Sequence, residues 1–253
     1  MPMMSTMPRL GAAIMAATLA TALPAHAQPL LADLFKHRIT IDPGFTGAVD
    51  LVFGSIDGGK GDLIVVVRGP NERVVVRRKD RVAGVWINRD KMEFDGVPAY
   101  YAVAANRPLE EIASPNYLKL HQIGLDALRI KPLTSRPADE IAAFREALIR
   151  NRVREGLYAD GVGKVARPPG GRLFRTVLHF PANVAEGTYS AQVFLIRDGD
   201  EVGAETIPLF INKTGVLAEI KYRARTQPAL YGLGAIIVAL AAGWVAALAF
   251  RKP

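Results

Sequence analysis

The sequence predicts a mainly β protein: an immunoglobulin-like β-sandwich ectodomain with a helical insertion, followed by one C-terminal transmembrane helix. Three observations predict it. At least seven strand-length apolar runs lie between polar turns and few are separated by helices, which favours two packed sheets over a parallel α/β sheet. Between about residues 108 and 158 the pattern shifts to helical spacing. Finally, the 25 residues from Thr226 through Phe250 carry no charge, enough to cross a bilayer once.

Taken in order, the chain begins with Arg9, an uncharged stretch of 14 residues from Leu10 to Leu23, and Pro24-Ala25-His26-Ala27. These match the basic, apolar and cleavage regions of a secretory signal peptide, so residues 1–27 are expected to be removed after Ala27. An uncharged segment of 14 residues is too short to cross a hydrocarbon core that needs about 20. Strands are expected at Ile39-Thr-Ile41, Ala48 to Phe53, Asp62 to Arg68, Arg73 to Arg78 and Val82 to Ile87. The β-branched run at 62–68 suits a strand buried on both faces. Gly69-Pro70-Asn71 and Lys79-Asp80 are read as the breaks between these strands.

Helices are expected at Leu109 to Ile112, at Leu118 to Leu128, and from Ser135 or Pro137 through Val153. Ile141, Phe144 and Leu148 share one face of the last, with arginines elsewhere on its surface. Gly161, Gly163 and Pro168-Pro-Gly-Gly171 read as a flexible connection. Strands resume at Arg172 to Phe180, Gly187 to Ile196 and Glu205 to Ile211. The last two flank Asp198-Gly199, the strongest hairpin signal in the chain. Gly187-Thr188-Tyr189 resembles the corner of an immunoglobulin-like sandwich, where a Tyr hydroxyl caps the preceding loop; a plain strand-start Tyr is the other reading.

The chain of 253 residues is half apolar, carries a formal charge of +8 and has no cysteine. The missing thiols exclude disulfides, Cys-ligated zinc, iron–sulfur clusters and a Cys nucleophile. Residues 1–27 hold 17 apolar residues and residues 228–253 hold 19, so the middle has the composition of an ordinary soluble domain. The predicted organisation is therefore a signal peptide at 1–27, a periplasmic domain at 28–226, a membrane helix at 227–250 and a cytoplasmic tail at 251–253. This places a single span in a bacterial inner membrane with the large domain in the periplasm. The middle piece retains a charge of +5 once Arg9, Arg251 and Lys252 are set aside. Export makes nucleic acid an unsuitable partner, leaving a solvated surface, anionic lipid or an acidic protein face for Arg73, Arg77, Arg78, Lys79 and Arg81.

Gly54-Ser-Ile-Asp-Gly-Gly-Lys60-Gly61 has the spacing of a phosphate-binding loop, but Gly61 stands where a hydroxyl is needed and a strand follows where a helix is required. A glycine-rich turn is the expectation. His37, His121 and His179 have no metal-ligand spacing, no nucleophile motif is present, and Glu110-Glu111 and Asp139-Glu140 fall at helix starts, where acids favour the dipole. No catalytic, cofactor or metal residue is expected. Gly232, Ala235, Ala239, Gly243 and Ala247 form a small-residue stripe suited to a second membrane helix. Lys221, Arg223 and Arg225 are candidate lipid-headgroup contacts, although three positive charges outside against two inside run contrary to the positive-inside bias.

Phe45-Thr-Gly47, Leu51-Val-Phe53-Gly54, Asp62 to Pro70, Gln227-Pro-Ala-Leu-Tyr-Gly232, Gly243-Trp244 and Phe250-Arg251 resemble a family of uncharacterised alphaproteobacterial transmembrane proteins. The resemblance covers nearly the whole mature chain, implies a cell-envelope protein of unassigned activity, and carries over no catalytic residue. The expected function is a non-enzymatic accessory or assembly partner of another inner-membrane protein, without a cofactor. Its expected partners are the lipid bilayer and either that protein or a second copy of the chain. The alternative is an envelope ligand-sensing or solute-capturing domain with a groove between sandwich and insertion.

Overall fold

The computed structural model describes residues 29–82, 85–214 and 228–249. The strands are β1 (Leu30–Leu34), β2 (Arg38–Ile41), β3 (Gly47–Ile56), β4 (Asp62–Arg68), β5 (Asn71–Val82), β6 (Val85–Pro98), β7 (Tyr101–Ala105), β8 (Lys131–Pro132), β9 (Tyr158–Lys164), β10 (Leu173–Pro181), β11 (Gly187–Arg197) and β12 (Asp200–Lys213). The helices are α1 (Leu109–Ile112), α2 (Pro115–Leu120), α3 (Ala138–Arg154) and α4 (Pro228–Ala249). The protein is mainly β, as its strand-length runs and turn residues require.

A three-stranded sheet, β1-β3-β10, faces a six-stranded sheet ordered β2-β12-β11-β4-β7-β9; β5, β6 and β8 form a third. The six-stranded sheet is the middle layer. On one side Leu63, Val65 and Val67 of β4 share a core with Leu34, Val52 and Phe174 of the three-stranded sheet. On the other, Ile64 and Val66 meet Val76 and Phe94 of the β5–β6 hairpin and Phe144 and Leu148 of α3. Because β4 lies between two layers, both its faces are buried, and an alternating pattern would have placed polar groups in one of the cores.

The β11–β12 hairpin turns on Asp198 and Gly199, whose φ values of 54° and 89° are those of a tight turn matched to strand twist. The Tyr189 hydroxyl donates to the Ala185 carbonyl at 2.7 Å, tying down the loop before β11. Its ring packs edge-on against Phe180 at 6.0 Å.

Four expectations need correction. Lys79 and Asp80 do not break the chain: they pair with Asn88 and Ile87, and β5 continues to Val82. Gly161 and Gly163 lie in β9, which runs parallel to β7, so backbone pairing overrides their local flexibility. The helix expected over 118–128 ends at Leu120, because Gln122 and Gly124 adopt φ of 53° and 99°, incompatible with continuing a right-handed helix. Strands β1 and β7, and the two-residue β8 inside the stretch expected to be helical, lie outside the strands that the sequence predicts. The alternation in β1 is short and abuts the leader, while β7 is buried at every position and lacks any period.

Candidate functional site

The phosphate-loop-like segment is a turn between β3 and β4, with a 3-10 helix at Asp57–Gly59. Each glycine of the motif has a packing or backbone reason. A Cβ on Gly54 would meet the Leu31 carbonyl at 2.2 Å and the Phe174 ring at 2.6 Å, and Gly59 has φ of +63°. The Arg167 guanidinium donates to the carbonyls of Gly59 and Gly61 at 2.7 Å. Arg197 donates to those of Lys60 and Asp57 at 3.1 and 2.9 Å. A phosphate cradle needs converging N–H donors, whereas this turn converges its carbonyls on two arginines.

The three histidines of the described chain lie apart. His37 contacts Asp33 at 2.8 Å, His179 sits on the exposed face of β10, and His121 stacks on Tyr117 at 4.3 Å between ring centroids. The Tyr117 hydroxyl donates to Glu201, which also lies 3.9 Å from His121. Burial and this carboxylate raise the Tyr117 phenol above its ordinary pKa, so it stays protonated and bonded. Among the described residues no three His, Cys, Asp or Glu side chains are placed to hold a metal ion.

Several groups that the sequence left as surface charge are built into the structure. Arg68 donates to the Gln192 side chain and to the carbonyls of His121 and Gln122. Beside it, burial pushes the Tyr101 phenol up to about 12. Its hydroxyl donates to the Gln122 carbonyl and accepts from the Gly124 N–H, each at 2.8 Å. Arg145 spans the carbonyls of Leu125, Asp126 and Leu128, and Arg152 pairs with Glu72. The Asp50 carboxylate is buried, with one oxygen accepting from the Lys36 and Leu51 N–H groups and the other without a partner among the described residues. Burial raises its pKa. Glu110 and Glu111 lie in the first turn of α1, and Asp139 and Glu140 in that of α3.

Helix α4 has 22 residues and its sequence carries no charge. Ile236, Ile237, Leu240, Trp244 and Val245 are each more than half exposed, and they spread over more than one face at 100° per residue. The stripe residues Gly232 and Gly243 have open space where a Cβ would stand, and Ala239 is exposed. The side chains of Ala235 and Ala247, and all of Lys221, Arg223 and Arg225, fall outside the described residues. Counted over the described residues alone, no helix is long and apolar enough to cross a membrane.

Residues 29–252 match the family model described as "Putative transmembrane protein (Alph_Pro_TM)". The chain belongs to that family. No curated protein and no solved structure matches it. The family match takes in both the three-layer domain and α4, so the described domain and the apolar helix are parts of one family pattern.

Two cavities of this family member adjoin the boundary between the β1-β3-β10 sheet and the six-stranded sheet. One of about 410 Å³ and another of about 370 Å³ share Gly156 and His179. In the second, Tyr100 donates its hydroxyl to the His179 carbonyl at 2.9 Å. A third, of about 320 Å³, lies between β5 and α3.

Proposed function

We propose that this chain is an exported, membrane-anchored accessory protein. Its signal peptide at 1–27 is removed, and its immunoglobulin-like sandwich with helical insertion (28–226) stands in the periplasm. Residues 227–250 cross the inner membrane once, leaving 251–253 in the cytoplasm. The observation that carries the reading is the run of 25 uncharged residues from Thr226 through Phe250, enough for one span, within which α4 leaves Ile236, Leu240 and Trp244 exposed. A helix apolar all round is covered either by protein or by lipid. The shared core of the β1-β3-β10 and six-stranded sheets and the Tyr189 hydroxyl bond to the loop before β11 support the sandwich assignment.

A non-enzymatic role as partner of another inner-membrane protein accords with polar groups that serve turns, caps and ion pairs, and with open positions at Gly232 and Gly243 that would admit a second helix. A second copy of the chain is the other occupant of that stripe. Protease added to spheroplasts is expected to degrade the domain; protection of residues 28–226 would overturn the topology. Purification in mild detergent is expected to retain a membrane protein partner, and recovery of a lone monomer would remove the accessory reading.

A second reading rests on the two adjoining cavities at Gly156 and His179: the domain senses or captures an envelope solute there. Thermal-shift screening with envelope metabolites, ions and glycans would then raise the melting temperature, and a flat response across the set would sink it.

A further inference from the structure

We propose that the outer face of the β1-β3-β10 sheet is the contact between two copies of this chain, paired about a two-fold axis that runs along β3. The orientation of the pair rests in part on the anchored reading above.

An antiparallel sheet with one face in a core commonly turns polar residues to water on the other. Here Leu30, Leu34, Val52, Phe174 and Leu178 fill the shared core from the inner face. On the outer face Leu31, Val49, Phe53, Leu173 and Val177 are each 41–60% exposed. The register sets this face in rows. Leu31 and Leu173 flank Ser55, and Asp33 and Arg175 flank Phe53. Val177 lies beside Leu51. On the other side of Leu51 the Phe35 N–H donates to its carbonyl at 2.9 Å, which seats Phe35, 70% exposed, in the same row.

This pattern is complementary to itself. A two-fold along β3 lays β1 of one copy over β10 of the other. Leu31 then meets Leu173, Phe35 meets Val177, and Phe53 meets its own copy on the axis. Asp33 meets Arg175 twice over. Asp33 is 53% exposed beside His37, and the Arg175 side chain has no partner among the described residues. A two-fold running across the strands at Phe53 would instead set Asp33 on Asp33 and Arg175 on Arg175, and like charges oppose association.

The anchor selects the same axis independently. β12 starts at the Ile56 end of β3, since its Gly203 packs on Pro29 and Leu30 and Leu30 pairs with Ile56. It runs to the Gly47 end, where the Thr214 N–H donates to the Ile41 carbonyl at 2.8 Å. A two-fold along β3 keeps both Thr214 ends on one side, so both α4 helices enter one membrane. The two-fold across the strands puts them on opposite sides.

Area sets the strength. Three strands about 4.8 Å apart and four outward rows about 6.8 Å apart make a face of about 400 Å² per copy. The total of about 800 Å² is below the roughly 1,200 Å² of a stable soluble complex. Holding both chains in one bilayer raises their effective concentration and lets so small a contact form.

The chain has no cysteine, so Ser55→Cys in the full chain is its sole thiol and lies on the axis. In membranes treated with a short bis-maleimide it is expected to give a band at twice the mass of the chain. Asp33→Arg or Arg175→Asp, added singly, should each reduce that band about tenfold or more. The two together should restore it, which a general loss of structure would not do. Both positions are exposed, and thermal melts of each variant report the fold. Absence of the band in membranes that retain the chain overturns the proposal, as do single reversals without effect or a double reversal no better than the singles. An adduct with a protein of another mass overturns it in favour of a different partner. Failure of the anchored reading is seen separately, as release of the chain on carbonate extraction, and the double reversal decides the pairing of the released chain as well.

Discussion

Helices α3 and α4 obey the same physics in opposite surroundings. Over 17 residues α3 carries seven charged side chains and buries Phe144 and Leu148; α4, over 22, carries none. The apolar stripe of α3 meets Val76, Met92 and Phe94 across a shared core. On α4, Ile236, Ile237, Leu240 and Val245 stay exposed. Covering each would gain about 1.5–3 kcal/mol, a sum comparable to the stability of a whole domain, about 5–15 kcal/mol. The difference teaches that α3 is finished by its own chain, whereas α4 needs a covering that the described chain does not supply.

The sharpest way to break this contrast is a pair of substitutions with crossed readouts. Leu148→Ala removes a side chain that is 1% exposed and should cost the domain about 3 kcal/mol. It should lower the urea midpoint while leaving the chain in the membrane fraction. Leu240→Arg should do the reverse, costing about 3 kcal/mol of insertion near the helix centre and releasing protein on carbonate extraction, with the midpoint unchanged. If Leu240→Arg lowered the urea midpoint by as much as Leu148→Ala, α4 would be a core helix and the contrast would fall.

Next in size is Arg152→Ala. Arg152 is 14% exposed and pairs with Glu72, which is 38% exposed. Breaking a fully buried pair costs about 3–5 kcal/mol, and partial solvation of Glu72 reduces the expectation to about 2 kcal/mol. A change below 0.5 kcal/mol, roughly that of an exposed pair, would mean that the polar side of α3 is a solvated face.

That pair also marks where the sequence stopped being legible. The strands at β4, β10, β11 and β12 were readable because alternation or β-branched runs lie between turn residues, and the Asp198-Gly199 turn carries its own conformational requirement. Arg152, Arg145 and Arg68 were indistinguishable from solvated charge, since their partners lie 80, 17–20 and 53–124 residues away in sequence. Pairing of β7 with β9 is a similar case: a Gly-containing segment becomes a strand through a neighbour more than fifty residues distant. Of the site features, the apolar character of α4 was legible outright, because length and charge suffice. The groove between β5 and α3 was not, because it needs two elements brought together by the fold.

Gly243→Leu probes α4 from the other side. Gly243 has open space around its Cβ position, so the substitution should leave the domain and membrane insertion intact. If a partner helix packs on this face, association should weaken by about 1 kcal/mol, read as reduced cross-linking or co-purification. Unchanged association would remove Gly243 from the contact and leave lipid as the covering there.

The smallest expected effect isolates the ends of the two helices. α3 begins after Pro137, which offers no side-chain cap, and places Asp139 and Glu140 in its first turn and Arg152 and Arg154 in its last. α4 has neither acid nor base within its terminal turns. A helix end in water gains about 0.3–1 kcal/mol from compensating charge. Glu140 is already engaged by Arg136 at 3.3 Å, so Asp139 is the cleaner probe. Asp139→Asn should cost about 0.5 kcal/mol at low ionic strength. The loss should shrink at 1 M salt, where the screening length falls to about 3 Å, and urea titrations at both ionic strengths would measure it. A loss of the same size at both would assign Asp139 a local contact that salt does not screen, and the dipole account of how α3 differs from α4 would then fail at this end.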